Sequence, residues 1–270
     1  PWKPDPCYRE NVMYTGHLLQ LLAYYERYSG DRVYWEKGFD FHWRDGSLIH
    51  YDVQKLIDVT VAQMRGSPSG GVTCEPGTIF FPCNNHPHVA LKVFSTLGHG
   101  DWTAESTKWE KWALKNFLYP AFGGGAFNLA YYVETGIFVP RGHSALDAWS
   151  LLWYSVWASD PEKPKELWRV AARKIDWDEI DRCEDPLKVP GGSCCDIFRI
   201  PATATACFIA PAARICGDVK SAERAERALD KRYLVRKDGL YYLNLNREWR
   251  IGASANRIIA LALENGSVLR

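Results

Sequence analysis

Four times along this chain of 270 residues a helical pattern stops at a small residue followed closely by aspartate: Gly30-Asp31, Gly98-His99-Gly100-Asp101, Ser159-Asp160 and Gly217-Asp218. Glycine accepts the left-handed backbone that ends a helix, and aspartate caps the helix that follows, so each mark reads as the hinge of a helical hairpin. The marks recur about every sixty residues, the size of an α-hairpin plus a connecting excursion. Apolar periodicity predicts helices over 8–28, 52–64, a stretch ending before Gly98, 103–118, 143–158, 162–175, 203–216, 219–231 and 252–263. In the first of these, Leu18, Leu21, Leu22 and Tyr25 form an apolar stripe, while Met13, His17, Gln20 and Tyr24 share another face. The pattern predicts an all-α chain, an α/α toroid over 1–270 as one domain. Toroids close with paired helices, so an odd number of them predicts further helices before Pro1. The excursions Phe122-Gly123-Gly124-Gly125-Ala126-Phe127 and Gly239-Leu240-Tyr241-Tyr242-Leu243 read as short strands at one rim.

Composition narrows the classes of partner. The formal charge is +1, which offers no basic surplus for nucleic acid. Charged residues make up 24% and apolar ones 47%, and no apolar run approaches the ~18 residues that a membrane span needs. The twelve tryptophans and fourteen tyrosines suit a hydrocarbon pocket or a sugar-binding cleft and do not choose between them. Eight cysteines, spread through a chain too large to need stapling, make no recognisable disulfide framework and leave the redox compartment open, with the cytoplasm slightly favoured. The sequon Asn265-Gly266-Ser267 is too common to place the chain outside the cell.

Two of the cysteines carry chemistry. Cys74 and Cys83 bracket Glu75-Pro76-Gly77-Thr78-Ile79-Phe80-Phe81-Pro82, where Ile79-Phe80-Phe81 reads as a short buried strand or extended loop kept out of helix by the prolines. A thiol can serve as an acid and, with a modest lowering of its pKa, as a base near neutrality. Two thiols facing one apolar cavity suit a hydrocarbon substrate with a single hydroxyl to be removed, added or moved. Three plainer readings compete: a disulfide, a zinc site joining Cys83 to His86 and His88, and simple burial as small hydrophobes.

The segment Asn11-Val12-Met13-Tyr14-Thr15-Gly16-His17, followed by Cys74-Glu75-Pro76 and Cys83-Asn84, resembles the linalool dehydratase/isomerase family. The resemblance implies an (α/α)6 barrel around a hydrophobic channel, a cofactor-independent reaction, and an active site lined by the matching Met13, His17, Cys74 and Cys83. It also implies an aspartate and tyrosines from a region upstream of the Met-x3-His segment, a region with no counterpart before Met13 here. In bacterial members those residues cross from a neighbouring subunit, which implies a homo-oligomer with shared sites. The stretch Asp31–Tyr51 has no clear counterpart in the family.

The site expected on this basis has Cys74 and Cys83 as acid and base and His17 orienting the substrate hydroxyl, with Met13, Tyr14, Glu75 and Phe81 around an apolar substrate. A thioether formed by nucleophilic attack is the other route. Phe80, Phe81 or Trp102 would shield an allylic cation. No metal is expected. Asp176-Trp177-Asp178-Glu179-Ile180-Asp181 looks like the magnesium motifs of diphosphate-dependent terpene synthases, but at a helix end it reads as a solvated cluster. Cys194-Cys195-Asp196 reads as local packing, and His143 with Asp147, one turn apart, as either structural or cavity-facing. Two other functions compete with a lyase or isomerase. One is a carbohydrate-active α/α-barrel enzyme with paired carboxylates such as Glu134 and Asp147, and the other is a non-catalytic barrel that binds apolar ligands.

Overall fold

The computed structural model describes residues 5–118, 126–140, 144–182, 202–244 and 247–264. Phe122–Gly125, His143, the Cys194-Cys195-Asp196 run and the Asn265 sequon lie outside the described residues. The chain divides into two compact units, one holding the described residues of 1–118 and 129–139, the other those of 126–128 and 140–264.

The first unit runs α1 (Val12–Ser29), α2 (Val33–Glu36), β1 (Phe39–His42), β2 (Leu48–Tyr51), α3 (Val53–Gly66), β3 (Thr78–Ile79), α4 (Phe81–Thr96), α5 (Thr103–Asn116), β4 (Ala130–Tyr132) and β5 (Ile137–Val139). Helix α1 packs on α4 and α3, and α5 covers α3 and α4. The core holds Leu19, Leu56, Ile57, Met64, Phe94 and Trp109, each at most 1% exposed. Burying a side chain of this size contributes roughly 1.5–3 kcal/mol. β1 pairs with β2 as an antiparallel hairpin inside the stretch 31–51, and β3, β4 and β5 form a three-stranded antiparallel sheet.

The second unit runs α6 (Ser144–Trp157), α7 (Glu162–Ala172), α8 (Trp177–Arg182), α9 (Ala202–Ile215), α10 (Val219–Tyr233), β6 (Leu234–Lys237), β7 (Leu240–Leu243) and α11 (Arg247–Glu264). Helix α9 is central, packing on α6, α10 and α11. Its run of small buried residues, Ala206, Ala210, Ala212 and Ala213, allows those approaches. The β6–β7 hairpin closes on Asp238-Gly239, both at positive φ (52° and 76°), the backbone that a two-residue type I′ turn demands.

Helix punctuation follows the sequence closely. Gly30, Gly98 and Gly217 all take positive φ, of 71°, 85° and 81°. The paired aspartates begin the next helices: Asp31 accepts the N–H of Val33, Asp101 that of Thr103, Asp160 that of Glu162 and Asp218 that of Ser221. Among the described residues, the nine helices of eleven residues or more are the nine expected, with ends shifted by a few residues.

Two local expectations need correction. The stripe in α1 is partly rotated: Leu22 is buried as expected, but Leu21 is 65% exposed and Tyr25 36%, while Val12, Thr15, Leu19, Ala23 and Glu26 are buried. Gly16 explains the rotation, because a Cβ there would lie 2.6 Å from Cδ of Pro87; the helix brings its glycine against α4. The second correction is at Phe81, which opens α4 and does not continue a strand. Pro82 sits in the first helical turn, where its missing N–H would have had no intrahelical partner, so it favours this helix start.

Candidate functional site

Both motif segments meet in the first unit, joined by backbone. The N–H groups of Asn11 and Val12 at the start of α1 donate to the carbonyls of Cys74 and Thr73, each at 3.1 Å. These are among the amides that a helix start leaves without intrahelical acceptors. Cys74 in turn donates its N–H to Thr78 O at 2.8 Å, across a tight turn in which Thr78 N–H returns to Glu75 O at 2.9 Å. Pro76 and Gly77 occupy the centre of that turn, and Gly77 has φ 70°, the proline-glycine pattern of a type II turn. Cys74 is thereby fixed through both its N–H and its carbonyl.

Cys83 lies in the first turn of α4, and its Sγ stands 3.4 Å from Sγ of Cys74. Both are free thiols, 6% and 2% exposed. The contact with Cys74, burial and the negative charge of Glu75 push the Cys83 thiol well above its ordinary range, so it stays protonated at neutral pH. Glu75 itself is exposed.

Further along the two helices, the rings of His17 and His86 stack with centroids 3.6 Å apart. His17 Nδ1 meets Met13 O at 2.5 Å, and His86 Nδ1 meets Oε1 of Gln20 at 2.5 Å. A carbonyl only accepts, so Nδ1 of His17 carries the hydrogen, and the neutral ring presents Nε2 as an acceptor. Burial lowers the pKa of His17 against the pull of the Met13 carbonyl; burial and the nearby His17 hold His86 well below the imidazole range.

The other expected residues are placed as follows. Met13 and Tyr14 are 39% and 43% exposed, and Tyr14 faces the Phe41 ring at 6.2 Å. Phe81 is wholly buried, stacked on Trp109 and tilted against Phe117. His88 Nδ1 pairs with Ser106 Oγ at 2.9 Å, on a side chain separate from the His86 contact with Gln20. Among the described residues no three His, Cys, Asp or Glu side chains are grouped as a metal would require. The acidic run at 176–181 works structurally: Asp176 accepts the Glu179 N–H, and Asp181 pairs with Arg224, whose guanidinium lies 4.8 Å over the Trp177 ring. Asp147 is buried and accepts the N–H groups of Ala126 and Phe127 at 2.6 and 3.2 Å, while Glu134 is exposed beyond β4.

Gln20, Asn84 and His86 contact the expected residues or the segments that carry them, contacts that could not be read from the sequence. Gln20 was legible as part of the Met13–His17 face, but its partner lies 66 residues away.

The linalool dehydratase/isomerase family model matches residues 1–249. The chain belongs to that family. Solved structures add the fold alone. An α-amylase from Clostridium perfringens is similar with TM-score 0.59 and 11% identity, covering 94% of this chain and 71% of its own. The unsaturated glucuronyl hydrolase of Bacillus sp. GL1 gives 0.58 and 15%, covering 95% and 75%. A family 105 glycoside hydrolase from C. acetobutylicum gives 0.51 and 11%, covering 97% and 95%. These neighbours are α/α-toroid enzymes, and this member of the linalool dehydratase/isomerase family has the same mostly helical fold class, with short strands and, among the described residues, no closed sheet. Its family and its neighbours are enzymes, and none of its helices among the described residues is long and apolar enough to cross a membrane.

Proposed function

We propose that this chain is a cofactor-independent lyase or isomerase that removes, adds or shifts the hydroxyl of a terpenoid-like apolar alcohol, with Cys74 and Cys83 as its acid–base pair. The observation that carries this reading is the pair of unbonded thiols 3.4 Å apart in a buried setting. Cys83, held protonated, gives its proton to the departing hydroxyl, which leaves as water. Cys74, as thiolate, takes a proton from the neighbouring carbon. The pair then holds as many protons as at the start, but on the other sulfur, and transfer from Cys74 to Cys83 across the sulfur–sulfur contact restores the starting state. His17 accepts a hydrogen bond from the substrate hydroxyl at Nε2 and so orients it. Met13, Tyr14 and Glu75 border the substrate, Phe80 offers an aromatic face to an allylic cation, and Phe81 forms the floor through Trp109.

The test is the product profile, by mass spectrometry, of the protein incubated with a panel of terpenoid alcohols. Turnover that persists in both Cys74→Ala and Cys83→Ala would remove the thiols from the chemistry.

A carbohydrate-active enzyme is the second reading, favoured by the fold likeness to glycoside hydrolases. Against it stands the engagement of the Asp147 carboxylate by two backbone amides. Glycosidase activity indifferent to both cysteine variants would establish it.

A further inference from the structure

We propose that Asn84 is a positioning residue that sets the separation of the two thiols. The inference rests on reading those thiols as the reacting pair, but its own evidence is geometric. Asn84 is completely buried. Its Oδ1 accepts the N–H of Val72 at 2.7 Å, and its Nδ2 donates to the carbonyls of Val72 and Phe80, both at 3.0 Å. The side-chain amide thus pairs with the Val72 main chain as one strand pairs with another, and ties the same point to the end of the turn before α4. Val72 stands two residues before Cys74, and Asn84 directly follows Cys83. One amide therefore spans the two segments that carry the sulfurs.

The chemistry of the contacts selects this side chain. One N–H and two carbonyl oxygens face it, so the position requires an acceptor and a double donor on a short stem, which is asparagine. Aspartate has the shape but cannot donate to the carbonyls, and it would bring a charge against two carbonyl oxygens in a buried site. Glutamine adds a methylene with no space to absorb it. Val72 is 2% exposed, so an apolar replacement leaves its N–H and C=O without water as a substitute. The segment 72–74 would then relax away from α4, carrying Cys74 from Cys83.

The separation can be measured without turnover. In a glutathione buffer, the two thiols and one glutathione disulfide exchange to give one protein disulfide and two glutathione thiols. The equilibrium constant reports the effective concentration of one thiol at the other. It is read in the full chain as the mass of the peptide containing both cysteines. Asn84→Asp and Asn84→Ala, assayed where circular dichroism shows them folded, should lower that effective concentration by about tenfold or more. An unchanged value alongside a lower melting temperature would overturn the proposal, since a purely structural residue would act on melting alone. If neither variant folds, hydrogen exchange on the unaltered protein decides: the Val72 amide should exchange as slowly as the amides inside α4, and exchange at the rate of an open amide would overturn the clamp. Failure of the lyase reading would show as turnover indifferent to cysteine replacement, an outcome that leaves the glutathione equilibrium free to be read separately.

Discussion

The imidazoles of His17 and His86 lie face to face, centroids 3.6 Å apart and planes 30° from parallel. Two positive charges at that separation repel strongly in a partly buried site, so the pair carries one proton at most. Both rings have lowered pKa values, His17 chiefly through burial and His86 through burial and then the His17 charge. At neutral pH the stack is uncharged, and it presents His17 as a hydrogen-bond acceptor.

Activity should therefore hold through neutrality and fall on the acid side below pH 6.5, the unperturbed value, because protonation of His17 removes its acceptor. The profile of kcat/KM against pH checks this. His17→Gln should keep a fraction of the activity and lose that acid limb; the same limb in the variant would exclude His17 from the role.

Removal of either sulfur should be felt chemically more than structurally. Cys74→Ala and Cys83→Ala are each expected to reduce kcat by about 10²-fold or more, the scale of a lost proton-transfer group. Because one proton passes between the two, the double variant should be little worse than either single one. Additive losses in steady-state kinetics would contradict a shared proton.

Gly16→Ala sets two effects against each other. Alanine gains about 1 kcal/mol of helix propensity over glycine, but its Cβ would lie 2.6 Å from Cδ of Pro87 and 3.2 Å from Cβ of His86. A proline ring cannot swing aside, and overpacking of this kind costs about 1–3 kcal/mol. The clash should win, so thermal denaturation should show a lower Tm. Activity should fall too, since the same shift separates His17 from His86.

Asp147 gives a pH dependence of stability with a definite sign. Burial, opposed by the amides of Ala126 and Phe127, raises its pKa from 3.8 to about 7. Its folded value lies above its unfolded one, so its contribution is fully present below pH 3.8 and is lost as pH rises to about 7. Urea unfolding midpoints of Asp147→Asn should change less with pH across that window than those of the unaltered protein. At low pH the variant should be the less stable, having a single side-chain oxygen for two N–H donors. Parallel pH curves for the two proteins would mean that Asp147 does not titrate in this range.

The helix hairpins were legible because their signals are local. Gly217 ends α9 and Asp218, the next residue, caps α10; Gly98 closes the turn after α4, and Asp101 accepts the N–H of Thr103 at the start of α5. The sheet of β3, β4 and β5 was not legible, because the Thr78–Tyr132 register joins residues far apart in the chain through backbone bonds that leave little compositional trace. The β1–β2 hairpin had a local signal in Asp45-Gly46, with Gly46 at φ 83°, but Phe39 and Phe41 pack with Tyr51 only once the hairpin has closed.

Of the candidate site, its residue types were in the sequence: two thiols nine positions apart, and methionine and histidine one helical turn apart. Their mutual geometry was not. The sequence by itself determined where helices begin and end, because capping and periodicity act over a few residues of the same chain. Tertiary structure alone decided that α1 turns Gly16 toward Pro87, that Asn84 reaches Val72, and that His17 lies on His86. Those outcomes depend on which surfaces fit when two distant segments close on each other, and close packing admits few such fits.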